Sequence, residues 1–118
     1  MTDSLRIYHN PRCSKSRAAL ALLREHGLEP EVIEYLKTPP DEATLKAVLD
    51  QLGIRPRDLL RTGEAEYREL GLDDPAVSDE QLLRAMVEHP KLMERPIVLH
   101  AGKARVGRPP ERVLEILR

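Results

Sequence analysis

Apolar and polar positions change period three times along this chain. Leu5-Arg6-Ile7-Tyr8 reads as a short strand, and Asn10-Pro11 behind it is a turn signal. Ala19, Leu20, Leu22 and Leu23 then give an apolar face at helical spacing, which Gly27 stops. Val32-Ile33-Glu34-Tyr35-Leu36 is a mostly apolar run of strand formers, the length of a buried strand beside the first. Strand, helix and strand make a βαβ unit, and a right-handed crossover sets its two strands parallel.

From about residue 38 to 91 the pattern is all helical. Thr38-Pro39-Pro40-Asp41 signals a helix start with proline in the first turn, and Leu45, Val48, Leu49 and Leu52 follow on one face as far as Gly53. Asp58-Leu59-Leu60-Arg61 predicts a helical turn, and Glu64 to Leu70 another before Gly71. Ser78-Asp79-Glu80-Gln81 is a capping box ahead of the stripe Leu82, Leu83, Met86 and Val87, which ends at Pro90. The segment is too closely punctuated for a flexible linker. It predicts a helical insertion within a single domain.

Period two returns at Ile97-Val98-Leu99-His100, and Gly102 marks a tight hairpin into Ala104-Arg105-Val106. Pro109-Pro110 then opens a last helix whose Val113, Leu114, Ile116 and Leu117 are expected against the sheet. The order β-α-β, helical insertion, β-β-α predicts an α/β fold with a mixed sheet, an order that thioredoxin-like folds share.

Composition narrows the function classes. The chain has 118 residues, enough for one core. Its 19 basic and 20 acidic residues nearly cancel, which gives no reason to expect nucleic acid or an anionic membrane as partner. No apolar stretch is long enough to span a bilayer, and Met1-Thr2-Asp3-Ser4 lacks the basic and apolar regions of a leader. A single cysteine agrees with a cytoplasmic setting, since small secreted domains carry disulfide sets. Neither Phe nor Trp is present, so the core must be aliphatic.

That cysteine, Cys13, falls between the first strand and the first helix. A thiol attacks as its anion, and unpaired amides at a helix start, with the positive end of the helix dipole, favour that anion. Arg12, Ser14, Lys15, Ser16 and Arg17 surround it, which predicts a partly exposed, electropositive thiol rather than buried filler. Ser16 stands where the second cysteine of a Cys-x-x-Cys pair would be, so any disulfide of Cys13 must be with another molecule. His9 either helps ionise the thiol or only ends the strand and bonds a turn carbonyl. Ser16 either donates to the thiolate or is an ordinary first-turn serine. His26, His89 and His100 have no ligand-spaced partners, and no metal site is expected.

The run His9 to Arg17, with Arg61, Arg95-Pro96-Ile97-Val98 and Gly107-Arg108-Pro109, resembles the glutaredoxin-dependent arsenate reductase family, a thioredoxin-like group, from about Leu5 to Leu117. The resemblance implies Cys13 as catalytic nucleophile in arsenic detoxification and Arg61, Arg95 and Arg108 as ligands of the arsenate oxyanion. It assigns Asn10 to shaping the loop and Pro96 to a cis bond near the cysteine. Arginine suits that substrate, because its planar fork meets pairs of oxygens on a tetrahedral anion. Arg105, on the hairpin, is expected to be simply exposed. The implied co-substrate is glutathione, with no bound cofactor, and the implied protein partner is glutaredoxin; the chain is expected to act as a monomer.

Two alternatives stay open. One is a glutathione- or glutaredoxin-linked thiol oxidoreductase of another substrate, whose arginines bind glutathione carboxylates. The other is a thioredoxin-like transcriptional regulator that binds RNA polymerase and senses oxidation through a Cys-x-x-Cys pair. Ser16 removes the intramolecular switch that the regulator needs.

Overall fold

The computed structural model describes residues 5–117. The N-terminal Met1-Thr2-Asp3-Ser4, read above for a leader pattern, lies outside that range, as does Arg118. The chain divides into two compact units, one of residues up to Thr38 with those from Arg95 onward, the other of Pro39–Glu94.

The first unit is an α/β layer with the thioredoxin-like order of elements. Its sheet joins β1 (Leu5–Tyr8), β2 (Glu31–Ile33), β3 (Ile97–His100) and β4 (Lys103–Val106) in the order β2-β1-β3-β4. β1 and β2 are parallel; β3 is antiparallel to both β1 and β4. Ile7 stands opposite Val98 in the ladder, and alternation puts both on the face that carries α1 (Ser14–Glu25) and a C-terminal 3₁₀ helix (Pro110–Leu117). Ile7, Ala19, Leu20, Leu23, Val98, Val113 and Ile116 form the core there. Burial of each of the larger side chains there contributes about 1.5–3 kcal/mol. The β3–β4 hairpin turns on Ala101 and Gly102, both at positive φ (53° and 77°), as a two-residue turn that follows the strand twist requires.

Three expectations for this unit need correction. β2 spans three residues rather than five and is an edge strand with Val32 exposed, because the chain turns at Glu34, whose carbonyl accepts the Lys37 and Thr38 amides. Tyr35 is buried from that turn and not from a strand. The last helix is 3₁₀, with three residues per turn, so Val113 and Ile116 align on the buried side while Leu117 is turned out.

The second unit is helical: α2 (Glu42–Leu52), α3 (Pro56–Leu59), α4 (Ala65–Glu69), α5 (Asp79–Glu88) and a 3₁₀ turn at Pro90–Leu92. The Asp41 carboxylate accepts the Thr44 amide at 2.8 Å and so caps α2; Pro39 and Pro40 precede the cap instead of entering the first turn. Ser78 and Gln81 satisfy each other's amides as the capping box demands. Leu45, Leu59, Leu82, Met86, Leu92 and Met93 fill this core. α3 begins earlier than its spacing predicts, with Pro56 at its start, which leaves Arg61 outside it. No described helix is long and apolar enough to cross a membrane.

Candidate functional site

Strand directions gather several chemical groups at one end of the sheet. β1 runs toward Tyr8 and delivers the loop from His9 to Cys13; antiparallel β3 starts at that same end, directly after Arg95-Pro96; β4 finishes there with Gly107-Arg108. Ligands of open α/β sheets lie at such strand ends.

The loop is held by its own polar groups. The His9 amide donates to the Ile33 carbonyl at 2.8 Å, which anchors the loop to β2. Asn10 works twice: its Oδ1 accepts the Arg12 amide at 3.0 Å and its carbonyl accepts the Cys13 amide at 2.9 Å. The Asn10 amide in turn donates to the Oγ of fully buried Ser16 at 3.3 Å. Ser16 therefore ties the first turn of α1 back to the loop, a structural task that its spacing did not disclose. Cys13 is the N-cap residue of α1 in extended conformation, and its sulfur makes no capping bond. The first turn contains no acid.

The thiol is more covered than its neighbours in sequence suggest. Cys13 keeps 9% exposure, while Pro11, Arg12, Ser14 and Lys15 are exposed around it. The reason is the turn that Asn10 closes, which draws the cysteine inward and leaves the flanking side chains outside. Cys13 does not belong to the aliphatic cluster beneath α1.

His9 also departs from expectation. It is 7% exposed, and its Nδ1 is buried with no hydrogen-bond partner among the described residues. Burial pushes its pKa below the ordinary 6.5, Arg24 and Arg17 add to that, and Glu34 opposes it. Burial thus disfavours the imidazolium form, and the Nδ1 does not bond a turn carbonyl.

The arginines fall into different situations. Arg95 is half-buried, and its Nε and Nη1 are shut away from water without a hydrogen-bond partner among the described residues. Arg108 donates from Nη1 to the Arg95 carbonyl at 3.3 Å, so these two are brought together. Both precede cis prolines, Pro96 and Pro109. Arg61 belongs to the helical unit, where its amide donates to the Leu92 carbonyl and its side chain pairs with Glu64 at 3.2 Å and Glu94 at 3.3 Å. Arg105 is not simply exposed: its guanidinium is bound to Glu115 at 3.1 Å.

Gly107 escaped the sequence reading except as part of a motif. A Cβ there would come within 2.8 Å of Pro96 Cγ and 2.9 Å of Val113 Cγ1, and its amide donates to the Pro96 carbonyl at 2.9 Å. Its signal was a glycine at a strand end ahead of Arg-Pro, which marks close backbone approach.

Comparison with known proteins gives the family. A family model described as the ArsC family matches residues 8–116. The chain is 59% identical to YfgD, an uncharacterized protein of Escherichia coli K12, over 99% of both chains. It is 53% identical to an arsenate reductase of Neisseria meningitidis serogroup A, over 96% of this chain and 97% of that one. Among solved structures, the arsenate reductase of Vibrio cholerae superposes with a TM-score of 0.94 at 54% identity, covering 98% of this chain and 99% of the other.

Proposed function

The chain belongs to the ArsC family, and from that premise we propose that it reduces arsenate to arsenite with Cys13 as the nucleophile. The observation that carries the reading is Arg95, a guanidinium with two nitrogens buried and unpartnered at the sheet end that also bears the Cys13 loop. An uncompensated buried cation costs several kcal/mol, and a bound oxyanion offsets that cost. Arg108 supplies a second guanidinium beside it. The resemblance gives Arg61 the same role, although its charge is already shared by two carboxylates.

In the mechanism the Cys13 thiolate attacks arsenic and a hydroxide or water leaves, while the arginines hold the oxyanion charge. A glutathione thiolate then attacks the adduct. A sulfur–sulfur bond forms, the sulfur–arsenic bond breaks, and its electron pair stays on arsenic as arsenite. Cys13 is left in a mixed disulfide with glutathione. With no second cysteine in the chain, glutaredoxin resolves it. The setting is the cytoplasm, where reduced thiols are maintained.

The experiment is NADPH oxidation coupled through glutathione and glutaredoxin. Arsenate-dependent oxidation that disappears in Cys13→Ser is the expected result. An alkylatable Cys13 without arsenate-dependent oxidation would sink the proposal and favour a thiol reductase of another substrate.

A further inference from the structure

Several cations of this chain have a carboxylate partner. Arg24 pairs with Glu29, Arg55 with Asp79 and Arg84 with Glu42; Lys91 pairs with Glu66 and Arg112 with Glu115. The three basic residues nearest Cys13 in sequence do not. The side chains of Arg12 and Lys15 make no hydrogen bond or ion pair among the described residues, and Arg17 bonds only the Pro11 carbonyl, at 2.9 Å. All three are exposed. No acidic residue occurs between His9 and Arg24, so this collar is not neutralised locally. In a chain of net charge −1, it is a positive field localised at the thiol.

Access to the sulfur adds a second constraint. Cys13 is 9% exposed and the side chains flanking it in the loop are the exposed ones, so a protein that reaches the sulfur must rest on them. A shallow groove lined by Arg17, Leu20, Ala21, Arg24 and Glu25 extends the same surface along α1. A small thiol needs no such area. We infer that Arg12, Lys15 and Arg17 are the docking surface for a thiol protein whose reactive cysteine is ringed by carboxylates. This rests on the mixed disulfide of the proposed function. The docked partner's thiolate attacks the outer sulfur of that disulfide, the bond to Cys13 breaks, and Cys13 leaves as thiolate with the electron pair. The partner keeps the outer thiol as its own mixed disulfide.

The test starts from the preformed Cys13–glutathione disulfide and needs no arsenate. Two glutaredoxins serve as reductants, one with an acidic and one with a basic surface around its reactive cysteine. The ratio of their second-order rate constants cancels any change in the reactivity of Cys13 itself. In the wild-type protein the acidic reductant is expected to be faster and to slow steeply as salt rises; in Arg12→Glu/Lys15→Glu the ratio falls at least about tenfold and the salt slope flattens. The neutral Arg12→Gln/Lys15→Gln pair lies between. A ratio that stays constant across the three proteins overturns the inference. If the ratio moves as expected but arsenate is not reduced, the docking surface stands and the arsenate assignment fails.

Discussion

Arg108 donates from its guanidinium to the backbone carbonyl of Arg95 at 3.3 Å, so one anion-binding candidate braces the main chain that carries the other. The brace holds the Arg95 backbone while two of its side-chain nitrogens remain without a protein partner. Arg95→Met is therefore expected to raise the stability of the ligand-free protein by about 1–3 kcal/mol, the penalty of an unsatisfied buried group, and to lower arsenate turnover by about ten- to a hundredfold. Thermal melts with and without arsenate check both halves. Arsenate should raise the melting temperature of the wild type and leave that of Arg95→Met unmoved. An Arg95→Met protein less stable than the wild type would show that the guanidinium is compensated.

Cys13→Ser exchanges the thiol for a much weaker nucleophile, and reduction is expected to vanish while the fold survives. Circular dichroism and the coupled NADPH assay separate the two. Full activity in Cys13→Ser would remove the nucleophile from the mechanism. Arg61→Ala should weaken turnover less than Arg95→Ala, since Glu64 and Glu94 already share the Arg61 charge.

Gly107→Ala places a methyl against Pro96 and Val113, neither of which can withdraw as a flexible chain end would. A loss of about 1–3 kcal/mol in urea unfolding is expected, as for overpacking elsewhere. Activity should fall further than stability alone explains, because Pro96 and Gly107 are the neighbours of Arg95 and Arg108. A variant with wild-type unfolding midpoint would mean that the backbone relaxes freely there.

His9 predicts a pH dependence whose sign follows from its burial. Its folded-state pKa lies below 6.5, so between 6.5 and that lower value the unfolded chain binds a proton that the folded chain refuses. Stability is full above the window, declines as pH falls through it, and stops declining on this account below it. Asp41, which the Thr44 amide holds below its ordinary 3.8, acts in a more acidic range. Unfolding midpoints at pH about 7 and about 5 should differ less in His9→Asn than in the wild type. Equal slopes in the two proteins would show the imidazole to be solvated.

The order of elements was legible because period and punctuation are local properties. Ser78 with Gln81 and Gly102 in its hairpin each need only a few neighbouring residues and took the form that their spacing predicts, while on α1 Ala19, Leu20 and Leu23 join the core and Leu22 does not. β2 and the last helix were misjudged at their ends, where sheet position and 3₁₀ pitch outweigh local preference.

By itself, then, the sequence determined that a lone cysteine caps a helix start amid basic residues and that no second thiol is available to it. Only the tertiary structure decided that Cys13 is mostly covered, that burial disfavours the His9 imidazolium, that Ser16 braces the loop, and that two buried nitrogens of Arg95 are left unpartnered among the described residues where Arg108 is engaged. Exposure, ionisation and hydrogen-bond satisfaction depend on segments distant in the chain, since β3 and β4 join the Cys13 loop only through the sheet. A linear pattern carries no measure of those approaches.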